Sequence, residues 1–136
     1  MLNQPRNFKY KKLKKKFLKK FIENRAYRLK KGKIGLKTLT NFKITARQIE
    51  SIRQVISRTL RRKGKIWINI FPFLPITSKP IGARMGKGKG SVNFWYMPID
   101  VGTILFEISG VSFYKARLAL LKGAKKLPIK IKLIFR

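Results

Sequence analysis

The sequence contains no cysteine and no histidine, and only four of its 136 residues are acidic. Without thiols there are no disulfides, no thiolate metal sites and no cysteine nucleophile. Without imidazole, the side chain best suited to moving protons near neutral pH is missing. The carboxylates are Glu23, Glu50, Asp100 and Glu107, spread along the chain with no paired spacing. These absences argue against an enzyme and imply no metal and no cofactor. No apolar run approaches the roughly 20 residues that span a bilayer. The N-terminus is basic, as a transit peptide's is, but lacks its Ser and Ala richness and reads as part of the mature chain.

What is present is positive charge. Thirty-five Lys and Arg give a formal net charge of +31. Self-repulsion on that scale opposes a compact state unless a polyanion compensates it. Nucleic acid is the first candidate and an anionic membrane surface the second. Hydrophobic residues make up 44% of the chain, enough for one domain with a core. Lys (24) outnumbers Arg (11), Ile numbers 17 and Ala only six. Arg is the better residue for bidentate phosphate recognition, so the Lys and Ile excess reflects drift in an AT-rich genome.

Residues 1–43 read as a basic N-terminal arm and 44–136 as a domain. Within the arm, Lys9–Lys20 is Lys-dense, with Lys9, Lys11 and Lys12 leading, and Leu13, Phe17 and Leu18 interspersed. Such a segment is either a solvated tail or an extension that orders against phosphates; the net charge favours the second. Thr45–Lys63 is the clearest helix. Thr45 and Gln48 form a capping box and Gly64 supplies a stop. Ile49, Ile52, Ile56 and Leu60 form its apolar stripe. Arg47, Arg58, Arg61 and Arg62 fall on the opposite face, and Arg53 lies at the edge with a half-buried stem. Lys65–Phe71 alternates as a strand. Pro72, Pro75 and Pro80 then break regular pairing, so 72–90 is expected to be a long irregular excursion. Ser91–Met97 and Thr103–Ile108 read as a hairpin around the Pro98–Gly102 turn. A second helix begins at Ser112, with Phe113, Ala116, Leu120, Ala124 and Leu127 inward and Lys115, Lys122, Lys125 and Lys126 outward; Leu127-Pro128 ends it. Ile129–Phe135 is a last strand. The sum is an α+β fold of two helices with mixed or antiparallel strands.

The most informative segment is Arg84-Met85-Gly86-Lys87-Gly88-Lys89-Gly90. Glycine at alternate positions removes Cβ atoms, so the backbone can approach a phosphate or base closely. The intervening lysines add charge, and Arg84 adds a planar fork. It is no phosphate-binding P-loop, whose Gly-x4-Gly-Lys-Ser/Thr pattern precedes a helix. A proline-stiffened stalk with a basic tip suits reaching into a crowded RNA groove. A general nucleic-acid compactor would explain the charge but not this loop. A membrane-surface protein would explain the Lys-Phe arm but not two helices with complementary strands.

On Ile44–Glu50, Arg62–Ile68, Phe71-Pro72, Pro75–Thr77, Lys79-Pro80, Arg84–Gly90, Leu105–Glu107 with Gly110-Val111, and Lys126–Lys130, the chain resembles the bacterial-type large-subunit ribosomal protein sixteen family, universal uL-sixteen. The likeness runs from about Gly35 to Ile131. It implies an α/β-hammerhead-like domain that binds large-subunit ribosomal RNA as a monomer within the ribosome, among neighbouring ribosomal proteins and away from membranes. It places Arg84, Met85, Gly86, Lys87, Gly88, Lys89 and Gly90 near aminoacyl-site tRNA and the peptidyl-transferase centre. Arg47, Arg58, Arg61, Arg62, Lys63, Lys65, Lys79 and the arm's Lys9, Lys11 and Lys12 become ribosomal-RNA contacts. The arm departs from the family's Arg- and Gly-rich pattern. Phe73-Leu74 replaces a commonly charged pair, which implies a new apolar contact. Drifted arm and AT-rich composition together point to synthesis in a mitochondrion, with a plastid or an AT-rich bacterium as alternatives.

Overall fold

The structure is a computed structural model that describes residues 5–7, 12–14, 22–23, 28–86 and 88–136. Along the chain run β1 (Ile34–Thr38), β2 (Phe42–Thr45), α1 (Ala46–Thr59), β3 (Lys65–Ile68), β4 (Leu74–Ser78), β5 (Ser91–Ile99), β6 (Ile104–Ser109), α2 (Phe113–Ala124) and β7 (Ile131–Phe135). They form a four-stranded sheet of order β3-β6-β1-β7 and a three-stranded sheet of order β2-β5-β4. Every pairing between these strands is antiparallel. The fold is α+β, with both helices contributing to one core.

β6 is covered on both faces, which is why Ile104-Leu105-Phe106 reads as an unbroken apolar run and not as an alternation. One cover is chain from the arm side. Leu29 lies against Gly35, and a Cβ on Gly32 would meet Glu107 Cβ at 2.7 Å. The helices supply the rest of the core: Ile49, Ile52 and Ile56 of α1 are buried beside Ala116, Ala119 and Leu120 of α2. Each buried Ile or Leu among them contributes about 1.5–3 kcal/mol. Gly123 sets how closely the helices approach, since a Cβ there would stand 3.0 Å from Ile56 and 3.1 Å from Ile52.

The start of α1 follows the expected capping box. Gln48 N–H donates to Thr45 Oγ1 at 3.3 Å, and Thr45 N–H donates to Gln48 Oε1 at 2.9 Å. Its end does not follow the sequence. The helix stops at Thr59, with Leu60 as C-cap, four residues before the expected Lys63. Arg62 N–H donates to Ser57 O and Arg61 N–H to Arg58 O, at 3.0 and 3.1 Å. This is a Schellman closure with arginine where glycine normally sits, at φ 49° for Arg61 and 62° for Arg62. Gly64 (φ +79°) instead turns the chain into β3, where a Cβ would meet Val111 and the Ser109 carbonyl.

Four further expectations are corrected. The strand expected over Lys65–Phe71 closes at Ile68; beyond it, Asn69 turns its amide to Glu107. The excursion 72–90 is irregular only in part: Leu74–Ser78 is an edge strand of the smaller sheet, and an edge tolerates Pro75. Ser91–Ile99 and Ile104–Ser109 do not form a hairpin; they belong to different sheets. The turn between them, with Gly102 at φ +96°, is held by the Asp100 carbonyl, which accepts from Thr38 Oγ1 and Thr103 Oγ1 at 2.9 Å each. Phe113 is exposed, and Ala119 and Gly123 take its place on the inner face of α2. Separately from these, Lys43 and Ile44, on either side of the expected arm–domain division, both lie in β2, and β1 is an interior strand of the larger sheet.

Candidate nucleic-acid interface

The loop from Lys79 to Gly90 leaves the smaller sheet at the Ser78–Ser91 rung. Gly90 forms its neck, because a Cβ there would run into the Ser78 carbonyl. Beyond the neck the loop stands clear of the body. Gly82, Gly86 and Gly88 have φ of +83°, +97° and +73°, and among the described residues nothing lies within 4 Å of where a Cβ would sit. Ile81 and Met85 are fully exposed, and Arg84 and Lys89 are exposed too. Internal order comes from Lys79, whose Nζ donates to the Gly86 carbonyl at 2.7 Å, and from Ala83 N–H to the Pro80 carbonyl at 3.2 Å. Lys79 therefore shapes the loop as well as adding charge to it.

The arm meets this loop. Lys12 Nζ donates to the Lys89 carbonyl at 2.8 Å, and Lys89 Nζ donates back to the Leu13 carbonyl. Two cations thus share a seam, Lys12 on the backbone of Lys89 and Lys89 on that of Leu13. Behind it a cavity of about 290 Å³ separates Leu13 and Lys14 from Leu74, Pro75, Ile76 and Tyr96. Lys43 Nζ lies 5.6 Å from the Tyr96 ring centroid. Lys9, Lys11 and Lys87 lie outside the described residues.

The arginine block is elsewhere. Arg47, Arg58, Arg61, Arg62, Lys63 and Lys65 are all exposed. Arg47 and Arg58 share a helix face but stand about 16 Å apart along its axis. Arg58, Arg61, Arg62, Lys63 and Lys65 gather around the end of α1, with Lys65 Nζ 5.5 Å from the Trp67 ring centroid. The loop and arm, the first turn of α1 and the last turn of α1 are thus three cationic stations. Arg53 belongs to none of them. It is half-buried, and its guanidinium holds Glu50 through contacts of 2.6 and 2.9 Å, drawing that carboxyl down to about 2 chiefly through this hydrogen bond.

Sequence reasoning missed Glu107. It is fully buried on β6. Its Oε2 accepts from Gly32 N–H at 2.6 Å and Lys31 N–H at 2.7 Å, and its Oε1 from Asn69 Nδ2 at 2.6 Å. Lys30 N–H stands 3.2–3.3 Å from both oxygens. Burial pushes this carboxyl up, but the donors from Gly32, Lys31, Asn69 and Lys30 together outweigh it and hold the group below its ordinary value. The carboxylate fixes the base of the arm to the centre of the larger sheet. The available signal was a lone acid inside the apolar run ILFEIS.

No described helix is long and apolar enough to cross a membrane, and among the described residues no acidic cluster could hold a metal ion. A cationic α+β body, with exposed clusters of Arg and Lys and a glycine-lysine loop, belongs to the class of RNA-binding structural proteins. The model of the ribosomal protein L16p/L10e family matches residues 5–134, and the chain belongs to that family. It is 53% identical over 105 residues to large ribosomal subunit protein uL16 of Hyphomonas neptunium, covering 77% of this chain and 76% of that one. The same protein of Halorhodospira halophila is 47% identical over 133 residues, covering 98% of this chain and 96% of its own. That of Psychrobacter arcticus is 52% identical over 105 residues, covering 77% of each.

Proposed function

We infer that the chain is a structural constituent of the large ribosomal subunit, binding large-subunit ribosomal RNA and helping to position aminoacyl-site tRNA near the peptidyl-transferase centre. Its role is to hold RNA, not to catalyse. Family membership over nearly the whole chain carries the ribosomal part of this reading. The finer assignment concerns residues. Arg84, Met85, Gly86, Lys87, Gly88, Lys89 and Gly90 reach the tRNA side; the supporting observation is a glycine-lysine loop in which Gly82, Gly86 and Gly88 have open space, among the described residues, where a Cβ would sit. Arg47, Arg58, Arg61, Arg62, Lys63, Lys65, Lys79, Lys9, Lys11 and Lys12 bind ribosomal RNA. The chain acts as one copy per particle, away from membranes, beside neighbouring ribosomal proteins. Residues 1–43 act as the arm and 44–136 as the RNA-binding unit, with β1 lent by the arm to that unit's sheet.

Changing Arg84, Lys87 and Lys89 together to Ala tests the loop. Subunits carrying the triple change are expected to sediment normally but to bind tRNA or make peptide poorly. Normal translation by such subunits sinks the tRNA role. The isolated chain should bind large-subunit RNA with a log–log salt slope of about −0.9 per duplex phosphate neutralised. Equal affinity for random duplex DNA would favour a general compactor instead. We place the chain in a mitochondrial ribosome, on the Lys- and Ile-rich, Ala-poor composition. Recovery with large subunits from purified mitochondria checks this; recovery from plastids or a bacterial cytoplasm overturns it.

A further inference from the structure

The outer face of α2 carries an exposed apolar strip outside the residues assigned above to RNA. Tyr114, Leu118 and Leu121 fall within an arc of about 60° at about 100° per residue, along the centre of the helix's solvent side. All three are exposed, Tyr114 by 73%. Where α2 starts, the strip continues into Phe113 and Phe135, whose rings meet edge-to-face at 5.9 Å. Phe135 is 70% exposed and lies on β7, an edge of the larger sheet. Together the five side chains leave on the order of 500 Å² uncovered, near the upper end of what a monomer leaves to water. Arg117 flanks the strip on one side, and Lys115 and Lys122 on the other; the helix has no acidic residue.

We propose that this face docks an acidic, amphipathic segment of a neighbouring protein, with apolar residues laid along Tyr114, Leu118 and Leu121 and carboxylates meeting Lys115, Arg117 and Lys122. The inference rests on the ribosomal reading and names the chemistry of one protein neighbour. Phe113, Tyr114 and Phe135 could stack bases, but RNA leaves the rest of the strip unmatched: Leu118 and Leu121 offer neither a π-face nor a charge, and covering them with phosphate oxygens would bury apolar surface against anions. A second copy fits no better. It would bring Lys115, Arg117 and Lys122 against their own kind, with no acid on the helix to relieve them.

The test places benzoylphenylalanine at position 114 of the full chain, assembled into large subunits and irradiated. Tyr114 is exposed enough to accept the change without repacking. The expected product is a crosslink to a peptide rich in Asp, Glu and apolar residues. In the same background, Leu118→Glu with Leu121→Glu should lower the crosslinked fraction at least tenfold. A crosslink only to ribosomal RNA, only to a basic peptide or to no macromolecule overturns the inference alone, as does an undiminished yield from the double variant. A chain that never sediments with the large subunit overturns this inference and the ribosomal reading together.

Discussion

Glu107 gives the most exacting test of how the arm is held. In Glu107→Gln, the side-chain carbonyl can take the place of Oε2 and keep the Lys31 and Gly32 N–H groups, which stand at 2.7 and 2.6 Å. The new NH2 group then faces Asn69, whose own amide can turn to present its oxygen. The contacts survive as neutral ones. Hydrogen bonds to charged groups are worth about 1 kcal/mol more than neutral ones, so with two short backbone bonds affected the loss is about 2 kcal/mol. Glu107→Leu keeps the bulk but leaves the buried Gly32 N–H with no acceptor. An unsatisfied buried donor costs about 1–3 kcal/mol beyond the lost bond, so the expected total is about 4 kcal/mol.

Urea unfolding, followed through the Trp67 and Trp95 fluorescence, reads these values. A loss of 2 kcal/mol moves the midpoint by about 1 M. Amide exchange at Lys31 and Gly32 should accelerate far more in Glu107→Leu than in Glu107→Gln. The pH response has a fixed sign. Because the folded state holds this carboxyl below its ordinary value of 4.5, the unfolded chain takes up the proton first as pH falls. The stabilisation is complete above that value and drains away as pH drops through the lower folded one. Glu107→Gln removes that part of the acid sensitivity and leaves the part owed to Glu50. Equal stability of the Gln and Leu variants, or unchanged exchange at Lys31 and Gly32, would refute the anchoring account.

Two other perturbations separate fold from function. Arg61→Gly relieves a left-handed residue at φ 49° and should stabilise the isolated chain by about 1 kcal/mol in the same urea assay, while weakening binding to large-subunit RNA at low salt; unchanged affinity would mean that the strained arginine makes no phosphate contact. Gly90→Ala pushes a Cβ into the Ser78 carbonyl and should open the loop's neck. Exchange of the β4 and β5 amides nearest the loop should rise, whereas Gly86→Ala, where the space is open, should cost only about 1 kcal/mol of backbone strain.

Where local chemistry decided the structure, the sequence was legible. The Thr45–Gln48 box and the Ile49–Leu60 stripe located α1 because capping and burial act within a few residues. The glycine-lysine loop was legible for the same reason. The end of α1 was not, since a rule that expects glycine at the closing position cannot foresee arginine tolerated at positive φ. The supposed hairpin failed for a different cause. Turn residues such as Gly102 mark a reversal but do not say which sheet receives the next strand; Thr38, far away in sequence, fixes that through the Asp100 carbonyl. Pro75 read as a strand breaker because a lone sequence does not reveal which strands become edges. Phe113 was assigned inward as part of an apolar stripe, yet it is exposed; Ala119 and Gly123 share the inner face with Ala116 and Leu120, because α1 approaches closely at Gly123.

The two ends of the arm are held by opposite chemistry, and this orders what RNA can change. At the base, backbone N–H groups of Lys30, Lys31 and Gly32 converge on a buried carboxylate. A phosphate cannot replace it without displacing the centre of β6. At the loop, Lys12 and Lys89 donate to carbonyls at the exposed surface. A phosphate oxygen, carrying negative charge, is a better acceptor for an ammonium than a neutral carbonyl. Under the proposed assignment of Lys12 and Lys89 to RNA, arriving RNA is expected to compete for the two lysines and to leave the carboxylate alone. The expected outcome is that the Lys30–Gly32 end stays docked while the contact with the loop is exchanged for phosphate. The same exchange measurement, repeated with RNA bound, separates the ends: protection at Lys31 and Gly32 should be unaltered, and loss of protection there would mean that RNA remodels the body and not merely the seam.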